Sequence, residues 1–174
     1  MIRQATIHDA PRIAEIHVAS WRATYRGLVP DMWLASLSVS EREVVWKEFC
    51  SNEGGPVYVA CDGEQIFGFC HIAASRDLAA ERTAEITSIY IDPGSLRNGH
   101  GRLLFSEALS YACTQGFREV TLWVLMENQV ARQFYEAMGL HPDGATKTEG
   151  RLSEVRYRGD LTEVDRDGEG HSEA

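Results

Sequence analysis

The sequence predicts an α/β protein of a single domain, a mixed sheet with helices on both faces. Three observations carry that prediction. Strand-type and helix-type patterning succeed one another in the order strand, helices, hairpin, strand, helix, strand, helix, strand, which calls for a sheet covered by helices. A length of 174 residues supplies one sizeable core and too little for two, and no segment resembles a linker. With 44% hydrophobic and 25% charged residues, the chain can bury enough apolar surface to fold over most of its length.

Each element has its own signal. Ile2 to Ala5 is a short strand. Thr6-Ile7-His8-Asp9 has the T-x-x-D spacing of a capping box, and Ile13, Ile16, Ser20, Trp21 and Thr24 then recur at helical spacing until Gly27 and Pro30 stop the helix. Asp31 begins a short helix, and Ser38-Val39-Ser40-Glu41 opens another through about Phe49. The breaker Ser51-Asn52-Glu53-Gly54-Gly55-Pro56 ends it. Val57 to Cys61 and Ile66 to Ile72 form a hairpin with its turn at Asp62-Gly63, and Gly68 marks a bulge. Ser75 to Arg82 is polar and loops out, after which Ala84 to Ile91 is a strand.

From Arg102 to Gln115 the residues Leu104, Phe105, Ala108, Leu109 and Ala112 share one helical face, and Gly116 closes the helix. Strand Glu119 to Val124 follows. Asn128 caps a helix Gln129 to Met138 that ends at Gly139, and Ser153 to Leu161 is the last strand. Thr162 to Ala174 is polar, acidic and poor in apolar residues, so the folded domain is expected over residues 1–161 with a disordered acidic tail at 162–174.

A net charge of −9 disfavours nucleic acid as a partner and favours a cationic or amine-bearing one. No apolar run reaches membrane-spanning length, and the N-terminal residues lack the apolar region of a signal peptide. The expectation is a cytoplasmic protein without a membrane partner. Cys50, Cys61, Cys70 and Cys113 show no C-x-x-C pairing and no histidine at ligand spacing, so they read as buried free thiols and no metal site is expected.

The stretch Ile86 to Leu104 organises the chain: an apolar strand, a glycine-bearing turn and a helix in direct succession. A helix start leaves N–H groups without partners and carries a partial positive charge, so it grips an anion. Gly99 and Gly101 let a phosphate approach the backbone, and Arg97 and Arg102 add charged donors. A P-loop is excluded because His100 and Gly101 stand where Lys and Ser/Thr are needed. A dinucleotide fingerprint fails at its third glycine, occupied by Leu104, and no acidic residue closes the strand Val120 to Val124. A nucleotide-binding protein is therefore disfavoured.

What remains resembles the GNAT superfamily of acyl-CoA-dependent N-acetyltransferases, whose pyrophosphate loop reads [QR]-x-x-G-x-[GA] after a strand ending in a hydrophobic-x-Pro step. Leu96-Arg97-Asn98-Gly99-His100-Gly101 fits at both glycines and departs at the first place, with its arginine one residue late. Which side chain meets the pyrophosphate is left open, while the backbone cradle is unaffected. The segment Leu122 to Leu140, with Asn128 and Ala131-Arg132-Gln133-Phe134-Tyr135, is similar to the family's second signature. Ser20-Trp21-Arg22-Ala23-Thr24-Tyr25-Arg26-Gly27 looks like the substrate-side helix of its small-molecule and amino-acid N-acetyltransferases. The resemblance spans residues 2–161 and implies a single GNAT-like domain with a mostly antiparallel mixed sheet.

It implies transfer of acetyl from acetyl-CoA, as co-substrate and without a metal, to a primary amine of a small molecule, an amino acid or a protein N-terminus, by direct attack in a ternary complex. Arg97, Asn98, Gly99, His100, Gly101 and Arg102 would then hold the pyrophosphate. Backbone amides of Ile89, Tyr90 and Ile91 would bond the pantetheine arm and acetyl carbonyl where their strand splays from its neighbour; otherwise the run is core strand. Asn128 is a cofactor contact or a helix N-cap. Tyr135 is the acid for the leaving thiolate, or a core aromatic beside Phe134.

Glu85 is a base or amine-binding group, or an ordinary ion-pair partner of Arg82 or Arg118. Trp21, Tyr25 and Trp33 wall an acceptor pocket with cation–π attraction, or are core. His100 reads as a solvated loop residue, and His17 lies on the first helix. A non-catalytic acyl-CoA-binding or regulatory module is the alternative, set against the presence of both Glu85 and Tyr135. The acceptor's identity is not written in these letters, and whether the chain forms a homodimer stays open.

Overall fold

A computed structural model describes residues 1–51, 54–76, 81–150 and 152–161. The expected tail at 162–174, Asn52 and Glu53 of the breaker, and residues 77–80 of the polar loop lie outside them. Seven strands, β1 (Ile2–Gln4), β2 (Val57–Asp62), β3 (Gln65–Ala74), β4 (Thr83–Ile91), β5 (Glu119–Leu125), β6 (His141–Glu149) and β7 (Leu152–Asp160), make one sheet in the order β1-β2-β3-β4-β5-β7-β6. Every neighbouring pair is antiparallel except β4 and β5. This is the expected mixed, mostly antiparallel sheet.

Helices α1 (Ala10–Thr24), α2 (Asp31–Ser36), α3 (Val39–Ser51), α4 (His100–Thr114) and α5 (Gln129–Ala137) complete the fold. Two cores lie on the two faces of the sheet. Ile13 and Ile16 of α1 and Trp46 of α3 pack with Val57, Val59 and Phe69 on one face. Leu104, Phe105 and Ala108 of α4 and Tyr135 of α5 pack with Ile72, Ile86, Leu122 and Tyr157 on the other. Such all-apolar packing supplies the main driving force for folding.

The decisive feature is the path of β4. Its pairing with β5 runs only from Thr83↔Glu119 to Ile86↔Leu122, although both strands continue, β4 to Ile91 and β5 to Leu125. The two therefore part after Ile86 and Leu122. On the other edge, the register between β3 and β4 shifts between His71↔Ser88 and Ile72↔Ile86, which makes Thr87 an extra residue. A bulge of this kind reverses the alternation of side chains. Ala84 and Ile86 before it, and Ile89 and Ile91 after it, all join the α4 core, whereas Tyr90 packs in the opposite core.

Three expectations need correction. Strand β6 was not foreseen, because Pro142 and Gly144 interrupt its pattern; it lies at the sheet edge, where proline is tolerated, and a register shift between Pro142 and Thr146 absorbs the interruption. The hairpin turn is Gly63-Glu64, with Asp62 paired to Gln65, one residue later than expected. Helix α4 starts at His100, two residues before Arg102. The bulge near Gly68 falls on Phe67, between Ala60↔Gly68 and Cys61↔Ile66. Gly68 itself answers a close approach, since a Cβ there would stand 2.8 Å from the Tyr90 carbonyl oxygen. Among the described residues, no helix is long and apolar enough to cross a membrane.

Candidate functional site

The gap between β4 and β5 opens beside the start of α4. The turn before that helix carries two left-handed residues, Arg97 at φ 64° and Gly99 at φ 81°. The Gly99 conformation suits a residue without a Cβ. Leu103 N–H bonds back to the Gly99 carbonyl at 3.2 Å, so the N–H groups of His100, Gly101 and Arg102 precede any intrahelical acceptor. Among the described residues neither Arg97 nor Arg102 has an ion-pair partner, and both are exposed. The nearby Asp92 is already engaged: one oxygen accepts from Gly94 N at 3.0 Å and the other pairs with Arg12.

Gly101 serves differently from Gly99. Its missing side chain would point inward, 3.6 Å from the Phe134 ring and 3.8 Å from Ile91, so a methyl fits at ordinary van der Waals contact. His100 is the first helical residue and stacks on Phe67 with centroids 4.7 Å apart, which makes it a packed ring instead of a solvated loop residue. Asn128 is an N-cap: its side-chain oxygen accepts from Ala131 N at 3.1 Å, and among the described residues its Nδ2 donors have no partner. Tyr135 is buried among Phe105, Phe134 and Tyr157. Burial, with the Tyr90 phenol and the Cys70 thiol nearby, pushes its pKa up, so the hydroxyl keeps its proton at neutral pH.

On the opposite face of the sheet stands Glu85, its side chain buried. Its ion-pair partner is neither Arg82 nor Arg118 but Arg76, whose guanidinium holds both carboxylate oxygens, Nε to Oε2 at 3.2 Å and Nη2 to Oε1, while Arg76 N reaches Oε2 at 3.3 Å. Burial alone would raise the carboxyl pKa; the side-chain and backbone hydrogen bonds from Arg76 outweigh it and hold it below the ordinary value. Glu85 lines an open cavity of about 420 Å³ together with Ser75, Arg76, Thr121, Trp123, Lys147 and Arg156. Lys147 Nζ sits 4.5 Å from the Trp123 ring centroid and the Arg156 guanidinium 5.7 Å from it.

Trp21, Tyr25 and Trp33 come together as a wall: Trp21 and Trp33 stack at 5.9 Å, and Tyr25 lies 5.3 Å and 6.0 Å from them. Arg42 occupies a face of Trp21 at 5.4 Å, so that cation–π place is already taken from within the chain. Trp21 Nε1 donates to the Tyr90 hydroxyl at 2.8 Å, and His17 stacks on the Tyr90 ring at 5.0 Å. The wall thus joins the end of β4. The carboxylate of Glu154 on β7 bears electrostatically on both the Tyr90 phenol and the Arg76 guanidinium, while none of Trp21, Tyr25 and Trp33 lines the cavity at Glu85.

Sequence reasoning missed Arg76, Thr121, Trp123, Lys147, Arg156 and the bonded pair His71 and Thr87, whose Nδ1 and Oγ1 are 2.6 Å apart. One signal was present. Thr121 and Trp123 alternate with the buried Val120, Leu122 and Val124, so β5 shows a second, polar face.

Comparison with known proteins agrees with this geometry. The family model described as the acetyltransferase (GNAT) family matches residues 10–140. The chain is 30% identical over 158 residues to the uncharacterized N-acetyltransferase YuaI of Bacillus subtilis, covering 90% of this chain and 88% of that one. Its fold is similar to the PaiA N-acetyltransferase of Thermoplasma acidophilum, solved in complex with coenzyme A, at TM-score 0.75 and 22% identity over 92% of this chain and 98% of that one. It is similar also to YncA of Salmonella typhimurium, solved with its cofactor acetyl-CoA, at TM-score 0.69 and 20% identity over 100% of this chain and 96% of that one. The chain belongs to the acetyltransferase (GNAT) family and is an acyl-CoA-dependent acetyltransferase.

Proposed function

We propose that the protein transfers the acetyl group of acetyl-CoA to a primary amine of a small molecule or amino acid, by direct attack in a ternary complex. The observation that carries this reading is the parting of β4 from β5 after Ile86 and Leu122, with the open N-terminus of α4 on one side of the sheet and Glu85 on the other. A bound thioester supplies an activated acyl group. The chain supplies positioning, charge and a proton.

The first-turn N–H groups of His100, Gly101 and Arg102 and the side chains of Arg97 and Arg102 hold the pyrophosphate, with the Asn128 amide as a further donor. Backbone amides of Ile89 to Ile91, left without a β5 partner, bind the pantetheine arm and the acyl oxygen. Tyr135 donates to the departing thiolate; ordinary phenol and thiol pKa values of ~10 and ~8.5 already make that transfer uphill and burial of the phenol steepens it, so it depends on close placement. Glu85, kept ionised by Arg76, holds the acceptor amine by charge, and the amine's proton leaves through water. The wall of Trp21 and Tyr25 confines the acceptor.

The test is release of free coenzyme A thiol from acetyl-CoA across a panel of primary amines. Amine-dependent release with mass-verified N-acetyl product is expected; acetyl-CoA binding with no release for any amine would leave a non-catalytic acyl-CoA-binding module.

A further inference from the structure

The cavity beside Glu85 has a charge pattern that acetyl transfer alone does not require. Its lining carries three cations, Arg76, Lys147 and Arg156, against the single carboxylate of Glu85, in a chain whose net charge is −9. That concentration of positive charge is placed by structure. Lys147 and Arg156 come from neighbouring strands and gather over Trp123, which holds both heads at the cavity floor. Glu154 and Asp143 partner them, at 2.8 Å from Lys147 and 2.7 Å from Arg156, but neither carboxylate lines the cavity.

The cavity is therefore polar in sense. Glu85, its charge shared with Arg76, is the one carboxylate of the lining, on β4 level with Thr121 and one residue short of the point where β4 and β5 part. Lys147 and Arg156 form a positive end across Trp123. A ligand that complements both ends carries an ammonium and an anionic group on one small frame. The volume of about 420 Å³ lies low in the ~300–1,000 Å³ span of small-molecule sites, which suits one metabolite.

Resting on the acetyl-transfer reading above, we infer that the acceptor is a free amino acid, its ammonium held at Glu85 beside the strand gap and its carboxylate held by Lys147 and Arg156. The same charges select against other amines. A polyamine or aminoglycoside would bring further cations against Lys147 and Arg156, and like charges brought together cost binding. A protein N-terminus offers the amine without the adjacent carboxylate and so lacks the group that Lys147 and Arg156 would hold. The reaction balances: the ammonium releases one proton to solvent, the free amine nitrogen bonds to the acyl carbon and the carbon–sulfur bond breaks, Tyr135 gives its proton to the thiolate, and the second proton leaving the nitrogen restores Tyr135 through water.

The experiment compares initial rates of thiol release for the standard L-amino acids, their L-amino-acid amides and the amines left when the carboxylate is deleted, on wild type and on Lys147→Met and Arg156→Met. Lys147 is half exposed, so its variant tests charge and not folding. At least one free amino acid should exceed its amide and its decarboxylated amine by about tenfold or more in kcat/KM, as expected for losing a charged hydrogen-bonding pair. Lys147→Met should raise the KM of that amino acid and leave the KM for acetyl-CoA unchanged, while Lys147→Arg retains activity. Amides or polyamines turned over as well as amino acids would overturn the inference and leave acetyl transfer standing; acetyl-CoA binding without release for any amine would overturn both.

Discussion

The two sides of the site are made in opposite ways. The α4 side uses consecutive residues, Arg97 to Arg102, and acts mainly through backbone N–H groups and two glycines. The Glu85 side gathers side chains from the end of β3 and from β4, β5, β6 and β7, across residues 75 to 156, and acts through charge. A backbone cradle tolerates changes in side-chain identity as long as its conformation survives. A side-chain cavity can change its ligand by changing one charge. On the proposed reading, recognition of the acyl donor and choice of acceptor are built on parts of the chain that can vary independently.

The largest expected effect lies at Tyr135, in the core on the α4 side. Tyr135→Phe keeps the ring among Phe105, Phe134 and Tyr157 and removes the hydroxyl, so kcat should fall by roughly 10- to 10⁴-fold with acetyl-CoA affinity and melting temperature unchanged. Full activity in that variant would return Tyr135 to the core. Next is Glu85→Gln, which should raise acceptor KM by about tenfold or more and leave kcat at saturating acceptor nearly intact. A defect in kcat that shrinks as pH rises toward an amine pKa of ~10 would make Glu85 a base instead.

How legible each side was in the sequence follows from the same contrast. The cradle could be read because Gly99 and Gly101, the strand before them and the apolar face of Leu104, Phe105 and Ala108 lie within one short stretch. The fold was legible for its periodic elements, from α1 through α5. The cavity was not, since its ligands are far apart in sequence and two of its strands had to be placed first. Lys147 belongs to β6, whose proline and glycine hide its strand pattern, and Arg76 follows β3 in a segment that reads only as polar loop. The Thr87 bulge, which turns Glu85 and Tyr90 away from the α4 core, left no mark in the letters.

A smaller effect separates the two sides by pH. His17 and His71 lie on the acceptor side of β4, and burial first, with Arg42 near one and Arg76 near the other, lowers each pKa from 6.5 to about 4. A base with a depressed folded pKa contributes its full stability above the unfolded value of 6.5 and loses it progressively as pH falls toward about 4. Urea midpoints should therefore drop across that window, and His17→Gln or His71→Gln should flatten the slope; an unchanged slope in both would show that neither imidazole is held neutral. The smallest effect is expected from truncation after Leu161, which we propose leaves melting temperature and acetyl-CoA affinity as they were, because residues 162–174 carry too few apolar groups to offset their ordering entropy. A clear loss in either quantity would place the tail in the folded domain.

The claim on which the rest depends is that acetyl-CoA is gripped by the start of α4. Calorimetric titration of acetyl-CoA into wild type, Gly101→Ala and Gly101→Asp tests it most directly. Space 3.6 Å from Phe134 admits the methyl, so Gly101→Ala should bind nearly as wild type, whereas Gly101→Asp adds bulk and negative charge in the first turn and should abolish measurable binding while the protein stays folded by circular dichroism. Wild-type affinity in folded Gly101→Asp would contradict the account.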